Sequence, residues 1–368
     1  SPSPSPSPSP SPSPQPPESP PPTEVPPGAA GAGGPSGPLP VYGPASSKVF
    51  NPDIAVIGDF LGAIGKNDTD RATPSLELHE AEASFQAIVD PYARADFFLT
   101  FSNEEVGVEE GFITFTSLPA NLLVKVGKMR ASFGKVNQMH NHVMPWTDRP
   151  LVTQDLVGGE EGISDAGISV ARLFPNELLF LEATAEVYRG ESPELFRAPE
   201  RKDVTFVGRL RGYRDITEAT NLDFGGSFAQ GHNDAGPDFK TRLIGADFTL
   251  RWRPLRRAIY RRLLLRTELV WSRREQGPGD AKAFGAYASG EYQFARRWFA
   301  GVRLDHSERA DDPSLKDKGF SGLLTYWPSE FSQLRGQYRY TRYGEAITAN
   351  EFLFQVQFSI GAHGAHTF

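Results

Sequence analysis

Cysteine is absent from all 368 residues, which excludes disulfides, thiolate metal sites and cysteine nucleophiles together. No run of about 18 apolar residues occurs, so no helix of this chain is long and apolar enough to span a membrane. Positive charge is not in excess. The net formal charge is -7, and nothing in it points to nucleic acid. Lysines are few and cluster in no connecting segment. There is no G-x-S-x-G elbow and no H-E-x-x-H, and Gly158-Gly159-Glu160-Glu161 does not match a phosphate-binding loop. We therefore expect neither an enzyme nor a cofactor. A start at Ser1, with no Met and no apolar leader, is what a mature chain has after its targeting signal is removed. The negative mean hydropathy suits a soluble protein. It suits a membrane β-barrel equally, because such strands hide an apolar face at every second residue.

What is present divides at about residue 45. Residues 1–44 begin as Ser-Pro repeats and continue Pro-rich and Gly-rich, and they hold 18 of the 32 prolines. Proline-rich sequence of this kind forms neither helix nor sheet and defaults to an extended, disordered spacer. A partner of this tail, expected in the periplasm, is a second reading. Residues 45–368 form the folded unit.

From Pro52 to Gly361 the pattern changes to period two, and sixteen strands are predicted. In 92–102, Ala95, Phe97, Leu99 and Phe101 oppose Arg94, Asp96 and Thr100. In 240–253, Ile244, Ala246, Phe248, Leu250 and Trp252 oppose Asp247, Thr249, Arg251 and Arg253. In 260–273, Leu263, Leu265, Leu269 and Trp271 oppose Arg262, Leu264, Arg266 and Glu268. In 331–342, Leu334, Tyr338 and Tyr340 oppose Gln333, Arg335, Gln337 and Arg339. Strands of about ten residues with one apolar and one charged face suit a tilted crossing of a bilayer better than a sandwich. Trp252, Trp271, Trp298, Trp327, Tyr338, Tyr340 and Tyr343 lie near strand ends, where an interfacial girdle belongs. Connectors alternate between short and longer polar ones, as they do across an outer membrane. The fold class is thus all-β: a transmembrane antiparallel barrel of about 16 strands with both ends in the periplasm. Its last strand, Phe352 to Ile360, leads to a terminal Phe368 like the insertion signal of such barrels.

One long stretch, 130–163, does not alternate. Pro145 and Pro150 interrupt any ladder, and Gly158, Gly159 and Gly162 loosen its end. Phe133, Met144, Trp146, Leu151 and Leu156 need apolar partners, so the segment is expected to fold into the barrel rather than over it. On that reading Met144, Trp146 and Leu151 pack on the wall. Asp148, Arg149, Asp155, Glu160 and Glu161 then face the opening. The loop carries more acid than base, which favours cations. The arginines of the wall favour anions.

The runs ELHEAEASFQAIVDPYARADFFLTFS and EEGFITFTSLPANLLVKVGKMRASFGKVNQMHNH resemble the phosphate-selective porin family and related outer-membrane β-barrel porins. The resemblance covers residues 76–173 best. It implies a sixteen-stranded porin, a homotrimer, a third loop narrowing the pore, and an arginine ladder along it. Arg94, Arg211, Arg251, Arg266, Arg303, Arg335 and Arg339 match such a ladder, with Lys125. Asp96, Glu182, Glu186, Asp223, Asp247, Glu268, Glu291 and Asp305 share the face, a departure from a purely basic lining. The ending GAHGAHTF is similar to the tails of barrels labelled zinc-regulated.

Two histidine pairs stand out, His140 with His142 and His363 with His366. Imidazole is a common zinc ligand, and an i,i+2 pair on extended chain can present both rings together. Two ligands do not close a site, and the ordinary reading is hydrogen-bonded structural histidines. The expected function is passive diffusion of small hydrophilic solutes or ions across the outer membrane, with lipid as the other partner. The alternatives are a scaffold or sleeve for a partner protein docked through the tail, a barrel linked to metal uptake, and an outer-membrane hydrolase.

Overall fold

The computed structural model describes residues 53–361, except 70, 102–105, 193–194 and 278. The tail 1–44, the boundary at 45 and the pair His363 and His366 lie outside the described residues. Sixteen strands form one closed antiparallel barrel in which each strand pairs with the next. They are β1 (Asp53–Lys66), β2 (Leu76–Asp90), β3 (Ala93–Phe101), β4 (Val106–Leu118), β5 (Leu122–Arg130), β6 (Ser164–Phe174), β7 (Phe180–Tyr188) and β8 (Thr205–Thr217). The second half is β9 (Thr220–His232), β10 (Lys240–Trp252), β11 (Arg262–Gln276), β12 (Gly279–Ala295), β13 (Trp298–Glu308), β14 (Lys316–Ser329), β15 (Ser332–Arg342) and β16 (Thr348–Gly361). Pairing of β1 with β16, from Ala55 opposite Gly361 to Lys66 opposite Asn350, closes the ring and leaves no open edge.

The alternation sets which face is which. Phe97, Ile244, Phe248, Leu265, Trp271, Leu334, Tyr338, Tyr340, Phe352 and Phe358 are exposed on the outer surface. Their neighbours Asp96, Asp247, Thr249, Glu268, Gln333, Arg335, Gln337, Arg339 and Gln357 are buried inside. An apolar belt this continuous on the outside of a barrel is a lipid-facing surface, since water would penalise it.

The connectors depart from the expected asymmetry at two places. β11 runs to Gln276 and β12 begins at Gly279, so both strands run on past the expected turn. β10 and β11, on the opposite end, are joined by residues 253–261, which include a single 3₁₀ turn at Leu255–Arg257. Other connectors on that end, such as 91–92, 218–219 and 296–297, are two residues long.

The apolar core sits in the lumen. Segment 131–163 turns inward, with a short helix α1 (Leu151–Leu156). Phe133, Val136, Met144, Trp146, Val152, Leu156 and Ile163 pack against Tyr188, Val207, Ala229, Leu243, Val270, Ala283 and Tyr287 of the wall. Val207, Ala229, Leu243 and Val270 lie on the inward register of β8 to β11, so the wall carries an apolar seat there.

Ile244 is 56% exposed near the middle of β10. Ile244→Arg is expected to cost about 2–4 kcal/mol and to impair assembly, as Arg facing midplane lipid does. Arg251→Leu, on the inner face, is expected to leave assembly intact. Heat-modifiability on gels checks the ranking, and the reverse order would show that the two faces are exchanged.

Candidate functional site

The candidate site is the loop 131–163 and the wall it rests on. Its two stems are joined by Asn137, 1% exposed, which donates to the carbonyls of Ala131 (2.9 Å) and Ile163 (3.0 Å) and accepts from Ile163 N–H (2.8 Å). Next to it Gly134 adopts φ of +60°, a left-handed turn that a side chain would resist. That turn points successive backbone N–H groups at the wall. Gly134 donates to Ser227 (3.1 Å), and Lys135 and Val136 both donate to Glu268 (2.7 and 2.8 Å). Ser132 donates to Glu186 through its N–H (2.8 Å) and hydroxyl (2.9 Å). The far side is fastened to other strands. Thr147 N–H donates to Gln337 (3.1 Å), and Leu151 N–H donates to Asp305 (3.2 Å). Trp146 meets Tyr287 edge-on, and the Arg303 guanidinium lies 5.1 Å from its ring centre.

Three of the five loop charges expected at an opening are instead sealed. Asp148 accepts from Arg303 (3.0 Å), Arg339 (3.1 Å) and Gln337 (2.5 Å). Burial raises its pKa, but the two guanidiniums outweigh burial and hold it at about 2. Arg149 is 2% exposed and donates to the carbonyls of Val136 (3.2 Å) and Met139 (2.9 Å). Asp155 pairs with Arg71 at 2.8 Å, and burial still lifts its carboxyl to about 6. The physical reason is common to all three. A charge carried into a low-dielectric interior must find partners there, so Asp148 turns to arginines of the wall, Arg149 to carbonyls of its own loop and Asp155 to Arg71 of the β1–β2 connector. Glu160 and Glu161 are exposed.

Most of the residues expected along the lumen are paired with other inner-face side chains. Arg94 pairs with Asp96, its neighbour along β3. Asp247 pairs with Arg209 at 2.8 Å. Arg303 donates to Asp305 at 2.7 Å, Arg335 to Gln355 at 2.7 Å, and Arg339 to Glu351 at 2.5 Å. The Lys125 ammonium stands 4.9 Å from the Phe112 ring centre. Asp223 is shared by three cations: Lys135 (2.6 Å), Arg211 (2.8 Å) and Arg251 (3.7 Å). Arg211 and Arg251 keep 21% and 20% of their side-chain surface open, and Arg266 is half-buried.

His140 and His142 are brought together with acids the sequence reading passed over. His140 Nδ1 is 2.6 Å from Glu82 and Nε2 is 2.7 Å from Glu110. Burial disfavours its charged form, but Glu109, Glu82 and Glu110 outweigh this and raise its pKa well above the ordinary value. Glu109 and Glu110 both face inward because β4 bulges: Phe98 pairs with Glu110 and Leu99 with Val108, which leaves Glu109 as the extra residue. The signal was two adjacent acids interrupting an alternating strand. Glu186, Asp223, Asp305 and Gln337 lie on the inner face that the alternation predicts; their contacts with the loop carry no sequence signal, since each is one polar residue among many on that face.

The fold defines the class, a closed sixteen-stranded antiparallel barrel, and solved outer-membrane barrels share it. OmpT, an outer membrane protein of Vibrio cholerae, superposes with a TM-score of 0.57 at 10% identity, over 84% of this chain and 97% of that one. The outer membrane channel DcaP of Acinetobacter baumannii gives 0.56 at 10%, over 84% and 96%. OprB of Pseudomonas putida gives 0.52 at 10%, over 84% and 94%. At such identity these likenesses establish the fold. No family model matches the chain. An uncharacterized protein of Aquifex aeolicus (strain VF5) is 31% identical over 393 residues, which span 88% of this chain and 81% of that protein. The chain belongs to the family of that Aquifex protein.

Asp148→Ala strips two buried guanidiniums of a shared carboxylate. Arg303 keeps Asp305 and Arg339 keeps Glu351, so the variant is expected to destabilise the barrel by less than the about 3–5 kcal/mol of a fully unpaired buried charge and to open the loop to protease. Limited proteolysis checks this; cleavage no faster than in the parent chain would mean that the ion pairs do not hold the loop.

Proposed function

We propose that the protein is a non-enzymatic outer-membrane channel for passive diffusion of small hydrophilic solutes or ions, narrowed by loop 131–163. The observation that carries this reading is the seating of the loop. It lies within the barrel on an apolar patch of β8 to β12, so any path for solute passes beside it. The porin-type fold, shared with a protein described as an outer membrane channel, supports it. A homotrimer is part of the proposal, and a trimer form is described for the Vibrio OmpT. Phosphate selectivity is not proposed, because most wall arginines are neutralised by paired acids.

Charge at the narrowing sets the sign of ion preference. The loop acids Asp148 and Asp155 are cancelled by Arg303, Arg339 and Arg71. The water-accessible positive charge beside the loop is then Arg211 and Arg251, which share the single Asp223 with the buried Lys135, with Arg266 nearby, and the exposed acids of the loop are Glu160 and Glu161. Low-dielectric walls focus such a field, so a mild anion preference follows.

Planar-bilayer recording tests the proposal. Deleting residues 137–157 is expected to raise single-channel conductance, and Arg251→Glu to move the reversal potential in a salt gradient toward cations. Unchanged conductance after the deletion would remove the loop from the path. Burial lowers the Lys135 ammonium pKa to about 8, with Asp223 resisting. Raising the pH from 7 to 9 therefore removes a positive charge, and anion preference is expected to weaken. A preference that strengthens over this range would contradict the assignment.

A further inference from the structure

The cluster around His140 does more than hold the loop. Glu80 and Glu82 project inward from β2, Glu109 and Glu110 from β4, and His140 and His142 from the loop; all six are buried. One ligand atom each from Glu82, His140 and His142 fall within 4.8 Å of one another, and so do those from Glu80, Glu82 and Glu109. Glu82 belongs to both sets. The fixed cations facing the cluster are Arg130, which donates to Glu109 (2.6 Å), Lys125, which acts on Glu110 from β5, and Arg149 of the loop, which acts on Glu109 and Glu80. Four carboxylates therefore face three fixed cations.

The hydrogen bonds are incomplete where a ligand would sit. Glu80 Oε2, Glu109 Oε2 and His142 Nδ1 are buried without a hydrogen-bond partner. Glu80 and His142 are each 8% exposed. An orphaned buried carboxylate oxygen beside an orphaned imidazole nitrogen is costly unless something binds between them. His140 has carboxylate oxygens at both nitrogens, so it carries two protons in this state. Its Nδ1 proton occupies the place of a cation.

We propose that this cluster is a site for one divalent transition-metal ion of the zinc class, bound by His140 Nδ1, His142 Nδ1, Glu82 and Glu80. Mixed imidazole and carboxylate donors suit zinc rather than calcium or magnesium. Zinc ligands about 2.1 Å from the ion sit about 3.4 Å apart, so Glu82, His140 and His142 close on an ion by a small contraction, and Glu80, within 4.8 Å of Glu82, turns in as the fourth ligand. Binding releases the Nδ1 proton of His140 to solvent. The Nε2–H of His140 stays on Glu110, the carboxylate–histidine–metal arrangement that orients a ligating ring. Glu109 remains on Arg130. Two ligands come from the loop and two from β2, so the ion fastens the loop to the wall. The site does not depend on whether the barrel conducts.

The test uses the full chain in detergent, stripped with EDTA, carrying His363→Ala and His366→Ala to remove the terminal pair. Titration calorimetry with zinc chloride is expected to show one ion per chain. His142→Gln and Glu80→Gln, whose unpartnered atoms make no hydrogen bond to lose, are each expected to weaken binding at least tenfold while the barrel stays heat-modifiable. Cobalt(II) is expected to give a visible four-coordinate spectrum that His142→Gln abolishes. Zinc is also expected to raise the unfolding temperature of the unsubstituted site where magnesium does not. Absence of zinc binding, or binding unchanged in either variant, overturns the proposal.

Discussion

Strand backbone in lipid has no water to bond with, and that constraint orders everything else in this molecule. It forces closure, from β1 to β16, and it forces an apolar outer face. Every second residue must then point inward, where sixteen strands deliver many charged and polar groups to a confined space. Those groups cannot all be left to water once a loop of more than thirty residues shares the space. The result is a lumen built as a set of mutual ion pairs around an apolar seat. Asp148 between Arg303 and Arg339 is the clearest case, because one loop carboxylate answers two wall cations.

This explains what could be read from the chain in advance. Strand count, face assignment and the inward loop follow from period-two patterning and from where it stops, and these are local signals. Strand ends fell within a few residues of those expected at most positions. The pairing of Asp148 with Arg339 spans 191 residues and crosses the lumen between segments that share no ladder. No periodicity encodes such a contact. The apolar seat was hidden for a related reason. Leu243 beside Ile244, and Val270 between Leu269 and Trp271, make short runs apolar on both faces. Such a run blurs the alternation without saying what it will touch. The doubled inward acids Glu109 and Glu110 depend on a bulge, which is a property of two strands together.

The interior is also divided by charge. The loop meets β2 and β4 through histidines and carboxylates, and it meets β8 to β10 through Lys135 and the arginines around Asp223. Acid on one flank and base on the other give the loop two different anchors. The acidic anchor leaves Glu80 Oε2, Glu109 Oε2 and His142 Nδ1 buried without a hydrogen-bond partner, and the basic one keeps water-accessible guanidiniums.

The central claim is that segment 131–163 is packed inside the barrel. An engineered disulfide tests it directly, because the chain has no cysteine of its own to confuse the readout. A Cβ built on Gly285 of β12 would lie 3.0 Å from Val152 Cβ in the loop, close to disulfide spacing. In the double variant Val152→Cys, Gly285→Cys, the assembled barrel should oxidise to an internal crosslink and resist labelling by a bulky maleimide until reduced. Two freely labelled thiols in an assembled, oxidised barrel would place the loop elsewhere and contradict the account.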